Sequence, residues 1–257
     1  MKIFALDTSS KVATLAILED GKVLLENTVN DKKTHSEQLM PMIEAAFERM
    51  NLTPADMDVF GVTLGPGAFT GLRIGISTVK GMAEALDKPV VGLSAPEVLA
   101  GGIAPTDRIV CPILDAQREQ VYTGFFSYER IEEGDGAGDN NPKDRTLGWV
   151  PLSEIKVMKV RDLIKEAAGM ERKILFVGDG LELHENTLRE GLGEAFEKPL
   201  HGNGIPRASV AGALTERKHR QGRSHKGETL KPVYLRKSQA EVQFDERQKS
   251  LGKEAEE

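Results

Sequence analysis

The first residues whose types could do chemistry are Asp7, Thr8, Ser9 and Ser10, which follow a short apolar segment. A carboxylate followed by hydroxyls and backbone N–H groups is suited to a phosphate, with Asp7 holding Mg²⁺ through water. The same four residues are also typical of a β-turn in which the Asp7 carboxylate accepts from its own backbone. The residues alone leave both interpretations open.

The predicted order of strands and helices resembles that of the actin-like ATPases, which bind a nucleotide between two lobes. That resemblance implies a second phosphate turn at Asp115–Arg118 and makes Gly178–Gly180 a weak candidate for the loop on the adenosine side of the nucleotide. The turn at Asp115 has no glycine, so its backbone is less able to approach a phosphate closely. ATP hydrolysis by this chain alone is therefore not favoured. The alternative nucleotide site would consist of Asp7, Thr8, Ser9 and Asp115.

Metal and nucleophile signatures are not predicted. A helix that binds a metal needs two ligands four residues apart, but Leu39 follows His35 at that spacing. Cys111 lies in an apolar run and is interpreted as a small buried residue without an internal disulfide. The sequence contains no Gly-x-Ser-x-Gly motif. We therefore expect no metal, no cofactor and no catalytic residue.

The elements that would position these residues follow a repeated order. Three strands, a helix, a strand and a helix are predicted twice, with one more strand and a short helix at the end of the first unit. This order indicates an α/β fold with two mixed sheets flanked by helices. In the first unit the segments are Lys2–Asp7, Val12–Leu18, Lys22–Val29, Ser36–Met50, Asp58–Leu64, Thr70–Leu86, Pro89–Leu93 and a short helix at Pro96–Ala100. In the second they are Arg108–Ala116, Gln120–Tyr128, Leu147–Leu152, Arg161–Ala168, Lys173–Val177 and Glu182–Glu190.

The predicted boundaries divide the chain into residues 1–104, residues 105–240 and a tail, 241–257, that we expect to be disordered. The polar stretch Ile131–Arg145 is predicted to be an exposed loop. Thr34 and Glu37 form a capping box for the first helix, and Thr70 is predicted to cap the second.

Composition limits the class of protein. The chain has 257 residues and a net charge of −6, with 39% hydrophobic and 29% charged residues, as expected for a globular protein. We expect no signal peptide, no membrane segment and a cytosolic location. Arg217–Lys226 is basic, but no aromatic residues alternate with its charges. The stretch is therefore interpreted as a solvated helix end, with RNA contact as the alternative.

Two predicted helices carry more apolar or small residues than one core contact requires. A second stripe lies beside the apolar one on the helix after Gly65-Pro66-Gly67, and it consists of Gly71, Gly75, Thr78 and Met82. This pattern favours close approach by a neighbour or an association surface, and a fully buried helix is the alternative. The candidate contact residues are Leu39, Met40, Ile43, Phe47, Leu72, Gly75, Ile76, Val79 and Met82.

Four segments resemble the TsaB family, also called YeaZ. The most specific is Leu64–Gly75, LGPGAFTGLRIG; the others are Ile3–Ser9, Thr34–Leu39 and Pro232–Lys237. The resemblance extends over nearly the whole chain except Ile131–Arg145 and the tail. It implies two tandem RNase H-like lobes of the actin-like ATPase superfamily and a role in forming threonylcarbamoyladenosine in bacterial tRNA.

The resemblance also implies partners. A TsaD-like transferase would dock on the two helices of the first lobe, and a TsaE-like P-loop ATPase would join the complex. The isolated chain would self-associate through the same face and meet tRNA only through the complex. TsaD carries a metal-binding histidine pair on the helix matching Ser36–Met50, where this chain has His35 alone. The implied role is that of a non-catalytic subunit, and an ATPase or phosphotransferase acting by itself is the alternative.

Overall fold

A computed structural model describes residues 1–31, 35–130, 147–200 and 204–236, and it contains two β-sheets. The first sheet has the order β3-β2-β1-β4-β5. Its strands are β1 (Lys2–Asp7), β2 (Ala13–Glu19), β3 (Lys22–Val29), β4 (Val59–Gly65) and β5 (Val90–Ser94). β1 pairs antiparallel with β2 and parallel with β4, so the sheet is mixed, as predicted.

The helices cover both faces of this sheet. The α-helices of the described residues are α1 (His35–Met50), α2 (Phe69–Ala85), α3 (Ala95–Gly101), α4 (Val160–Ala168), α5 (Gly180–Leu192) and α6 (Ala208–Arg220). Of these, α1, α2, α3 and α6 pack on the first sheet. Side chains alternate between the faces of β1: Phe4 and Leu6 share a core with α1 and α2. Ile3 and Ala5 share a core with α6 on the opposite face. The central strand is therefore buried on both sides.

The second sheet follows the same plan with extra strands. Its main order is β10-β7-β6-β11-β12, and β8 pairs with both β6 and β9. The strands are β6 (Ile109–Asp115), β7 (Gln120–Thr123), β8 (Phe126–Arg130), β9 (Leu147–Pro151), β10 (Lys156–Lys159), β11 (Ile174–Val177) and β12 (Phe196–Glu197). Helices α4 and α5 share one core with it, and α3 shares another. The predicted tandem α/β fold is confirmed.

Three local predictions need correction. The segment predicted as one strand from Gln120 to Tyr128 is two strands, because the extended structure is interrupted at Gly124. Strands β10 and β12 were not predicted, since each is short and lies at a sheet edge. Thr70 does not cap α2: the helix begins at Phe69 after Ala68, whose backbone N–H donates to the Ser9 carbonyl at 2.7 Å.

Helix α6 contacts the first sheet although it follows the second in sequence. Ala208 and Ala211 are fully buried against that sheet, and a Cβ at Gly212 would lie 2.2 Å from Leu18 Cδ1. The division at residues 104 and 105 thus separates the two sheets but not this helix. Thr34, the loop residues 131–145 and the tail 241–257 lie outside the described residues.

Candidate functional site

The turn between β1 and β2 is closed by its own hydrogen bonds. The Asp7 carboxylate accepts from the Ser9 backbone N–H at 2.9 Å and from the Ser9 hydroxyl at 2.8 Å. Its other oxygen accepts from the Thr63 hydroxyl of β4 at 2.5 Å. Burial raises the pKa of Asp7, against the effect of these three donors. The geometry is that of the β-turn interpretation, and Thr63 is a partner that the sequence did not indicate.

The glycines of the central stretch lie against this turn. A Cβ at Gly67 would lie 2.2 Å from the Ser9 carbonyl oxygen, and one at Gly71 would lie 2.2 Å from the Thr8 carbonyl oxygen. A Cβ at Gly75 would lie 2.2 Å from Thr8 Oγ1. The Thr8 hydroxyl donates to the Gly71 carbonyl at 2.8 Å. The neighbour that requires these glycines is therefore inside the same lobe.

His35 belongs to the same arrangement. Its Nε2 lies 2.8 Å from the Ser10 carbonyl oxygen, so the first residue of α1 is held against the turn. Among the described residues, no group of three or more His, Cys, Asp or Glu side chains is arranged to hold a metal ion. Cys111 is buried beside the Thr123 hydroxyl at 3.2 Å, and burial raises the pKa of its thiol to about 12.

The turn after β6 differs from the first turn. Asp115 accepts from the Gln117 backbone N–H at 2.7 Å, and its own N–H donates to Asp179 at 3.1 Å. Gln117, Arg118 and Glu119 all have positive φ, between 54° and 61°. Burial is the largest cause that raises the pKa of Asp179. The weak candidate segment Gly178–Gly180 therefore contributes one residue, Asp179, to the cleft between the two sheets.

A cavity of about 300 Å³ lies between the two sheets. None of Asp7, Thr8, Ser9 and Asp115 lines it, so the structure does not bring the alternative nucleotide residues together there. The charged residues that line it are three acids and two lysines: Asp179, Glu182, Glu185, Lys11 and Lys198. Lys198 is paired with Glu185 at 2.8 Å. This balance of charges disfavours a polyphosphate.

The candidate contact residues on α1 and α2 fall into two groups. Seven are buried in the chain's own core and are therefore not available to a partner, which corrects that expectation. They are Leu39, Ile43, Phe47, Leu72, Gly75, Ile76 and Val79. Met40 is 55% exposed, and Met82 is partly buried against the same core. The apolar stripes predicted on α1 and α2 are present, but they pack against the first sheet.

The outward face of α2 carries small residues beside the exposed charged residues Arg73 and Glu84. Thr70, Ser77 and Gly81 are exposed, and a Cβ at Gly81 would have no atom within 4 Å. At the start of α2, Phe69 stacks on Tyr234 with ring centroids 4.5 Å apart. The Arg73 Nε–H donates to the Tyr234 hydroxyl at 2.8 Å. The spacing of Thr70, Ser77 and Gly81 is the sequence signal for this face, and none of the three is among the predicted contact residues.

Comparisons with known proteins decide the family. A family model described as "TsaD: tRNA N6-adenosine threonylcarbamoyltransferase" matches residues 22–244. The tRNA threonylcarbamoyladenosine biosynthesis protein TsaB of Bacillus subtilis is 31% identical over 249 residues, covering 97% of this chain and 100% of that protein. The chain belongs to the TsaB family. The TsaB of Escherichia coli is 29% identical over 136 residues, covering 52% of this chain and 58% of that protein.

The fold of the family is the one described above. The solved structure "YeaZ from Pseudomonas aeruginosa" superposes with a TM-score of 0.70 at 23% identity, covering 91% of this chain and 99% of that chain. The TsaB resemblance inferred from Leu64–Gly75 is thereby confirmed. In the part of the chain that the structure describes, no helix is both long and apolar enough to cross a membrane.

Proposed function

We propose that this chain is a non-catalytic subunit for tRNA threonylcarbamoyladenosine formation, which pairs with a TsaD-like transferase through the outward faces of α1 and α2. Membership of the TsaB family supports the pathway. The outward face of α2 is the observation that carries the pairing: Thr70, Ser77 and Gly81 are exposed on it. Small residues allow a partner helix to approach closely.

Helix α1 supplies the second part of the same face. Met40 is 55% exposed on it, and a flexible thioether adapts well to a partner surface. Glu44 and Glu48 are exposed on the same helix, so a partner of this face is expected to be basic there. Both helices contact one side of the first sheet, which directs their outer faces away from it.

The non-catalytic role is supported by the closed first turn. Mg²⁺ held through water would need the Asp7 carboxylate, but both of its oxygens already accept hydrogen bonds inside the core. A phosphate would need the Ser9 N–H, which donates to Asp7. A nucleotide at this turn would therefore have to break buried hydrogen bonds, each costing about 1–3 kcal/mol.

The pairing is tested by a bulky residue on the outward face of α2. Ser77→Trp should weaken capture of the TsaD-like transferase at least about tenfold, since a misfit at the centre of an interface costs more than about 1.4 kcal/mol. Asn186→Trp on α5 is the matched control, because Asn186 is also an exposed helical polar residue. Circular dichroism checks that both variants fold.

Equal capture by Ser77→Trp and by the unaltered chain would contradict the pairing surface. Self-association through this face predicts that Ser77→Trp is monomeric in sedimentation, whereas Asn186→Trp behaves as the unaltered chain does. A TsaE-like ATPase should be captured only when the transferase is present. The inactive role predicts that Asp179→Asn, once shown to fold and pair, supports tRNA modification at the ordinary rate; lost modification would contradict it.

A further inference from the structure

A groove lies between α6 and the hairpin of β8 and β9, away from the helices discussed above. Its volume is about 650 Å³, against about 300 Å³ for the cavity between the sheets. The groove is within the size range of small-ligand sites, about 300–1,000 Å³. Its apolar lining includes Ile103, Val210 and Leu214. A part of a ligand the size of one nucleotide can enter it.

Two aromatic side chains of the hairpin line this groove. Tyr128 of β8 and Trp149 of β9 face each other across the strand pair, with ring centroids 5.4 Å apart in an edge-to-face arrangement. The Trp149 indole N–H donates to the Ile103 carbonyl at 3.1 Å, which fixes the ring. Both side chains are half-buried, and the Tyr128 hydroxyl has no hydrogen-bond partner among the described residues. The pair is a fixed aromatic surface with a free polar group.

Helix α6 places one cationic side chain, Arg217, beside this surface without an ion pair to a described residue. Lys218 pairs with Glu97 at 2.6 Å, and Arg220 pairs with Glu216 at 2.7 Å. Arg217 lines the same groove, and no described residue forms an ion pair or hydrogen bond with its guanidinium. The acids at the groove are therefore already neutralised, and Arg217 is the cation available to a ligand.

We propose that this groove binds one nucleotide of single-stranded RNA, with the base against Trp149 and Tyr128 and a phosphate on Arg217. Bases stack on aromatic side chains, and arginine recognises phosphate through paired donors. The ligand class follows from these three groups lining one groove: the aromatic rings suit a planar base, and the guanidinium suits an anion. Because the chain belongs to a tRNA-modification family, the RNA that we propose for this groove is tRNA.

The fold brings aromatic side chains close to the basic stretch Arg217–Lys226, which contains none of its own. No aromatic residues alternate with the charges of Arg217–Lys226, which favoured a solvated helix end over RNA contact. Tyr128 and Trp149 reach that stretch from the second sheet. Helix α6 and helices α1 and α2 lie on opposite faces of the first sheet. RNA at the groove and a partner at the outward helix faces can therefore be bound together, and neither proposal rests on the other.

The sequence offers a direct probe, since Trp149 is the only tryptophan. The full chain is titrated with an unmodified tRNA transcript and with a single-stranded RNA oligonucleotide, while Trp149 emission is recorded. Stacking should quench the emission saturably with both. Arg217→Ala should weaken binding about tenfold and flatten the dependence of log K on log salt by about 0.7, the value for one phosphate contact on a single strand.

Arg161→Ala is the matched control, because Arg161 is an exposed arginine of α4 outside the groove. It should leave affinity within about twofold and change the salt slope little, as expected for a cation remote from the RNA. Unquenched emission at saturating tRNA would overturn the proposal, as would equal losses in Arg217→Ala and Arg161→Ala. Emission that responds to the transferase but not to RNA would make the groove a protein interface and overturn it as well.

Discussion

The inner and outer faces of α2 use glycine for opposite reasons. On the inner face Gly75 is buried, and a Cβ there would lie 2.2 Å from the Thr8 hydroxyl oxygen. On the outer face Gly81 is exposed, and a Cβ there would meet nothing within 4 Å. The inner glycine is required by the fold, whereas the outer one leaves space beyond it. Two identical residues in one helix thus carry different information.

The largest expected effect is on the inner face. Gly75→Leu should lower the free energy of unfolding by about 3 kcal/mol, because the added side chain overlaps Thr8 in a packed core. Urea unfolding measures the change. Gly81→Leu is the matched control and should not lower the midpoint, because its side chain meets no atom and leucine forms helices better than glycine. If both variants unfold alike, the two faces do not differ as described.

The contact with Thr8 can be isolated by a double-mutant cycle. Gly75→Ala places its methyl group against Thr8 Oγ1, and Thr8→Ala removes that oxygen. The double variant should therefore recover about 1 kcal/mol relative to the sum of the two single changes, a coupling expected for residues in contact. Additive losses would show that Gly75 is required for another reason.

Asp7 is buried in the turn that lies against the inner face of α2. Its pKa is raised in the folded chain, so the unfolded chain ionises first as pH rises above about 3.8. The stability of the unaltered chain relative to Asp7→Asn should therefore fall between about pH 4 and about pH 7. Urea unfolding at both pH values measures this.

Asp56 is the control of opposite sign. The Thr53 backbone N–H donates to its carboxylate and is the largest cause that lowers the pKa of Asp56. The stability of the unaltered chain relative to Asp56→Asn should therefore be lost as pH falls through the lowered pKa. The same slope for both variants would contradict the assigned role of burial at Asp7.

A smaller effect is expected at the start of α2, between its two faces. Tyr234→Ala removes the stack on Phe69 and the hydrogen bond from Arg73, which should lower the free energy of unfolding by about 1–1.5 kcal/mol. Tyr234→Phe keeps the ring and should lose about 0.5 kcal/mol or less. Thermal unfolding can rank the two. A larger loss for the phenylalanine variant would contradict the stacking assignment.

The smallest effect belongs to the outer face. Gly81→Ala should raise the free energy of unfolding by about 0.5–1 kcal/mol, since alanine is the better helix former and its methyl group meets no atom. Calorimetry of the isolated chain measures the gain. A loss of stability would show that the outer face is covered in the isolated chain.

The continuous apolar run Ile3–Leu6 was enough to predict β1, because a central strand that is buried on both faces carries apolar residues at successive positions. The role of Gly75 was not predictable, since a helical stripe does not reveal which neighbour lies on it. The turn at Asp7 was predictable from Ser9, which lies two residues away in sequence. The hydrogen bond from Thr63 to Asp7 was not predictable, because only the pairing of β4 with β1 brings these two residues together.

The same limit applies to the groove. Arg217 was judged by its sequence neighbours, whereas its aromatic companions Tyr128 and Trp149 come from another sheet. Local spacing reports on one element, and a site made from two elements appears only when the topology is known. Arg217 and Trp149 were each visible in the sequence, but nothing in it placed them together.

The position of α6 has a consequence for synthesis on the ribosome. Ile3, Ala5, Ala16 and Leu18 form their core with a helix that ends at Arg220. A nascent chain that has released only the first sheet therefore exposes one apolar face to water until most of the protein has been made. Fragments ending near residue 104 should aggregate, and chaperones should stay bound to the nascent chain until α6 has emerged. Helix α6 therefore completes the core of the first sheet only after most of the chain has been synthesised.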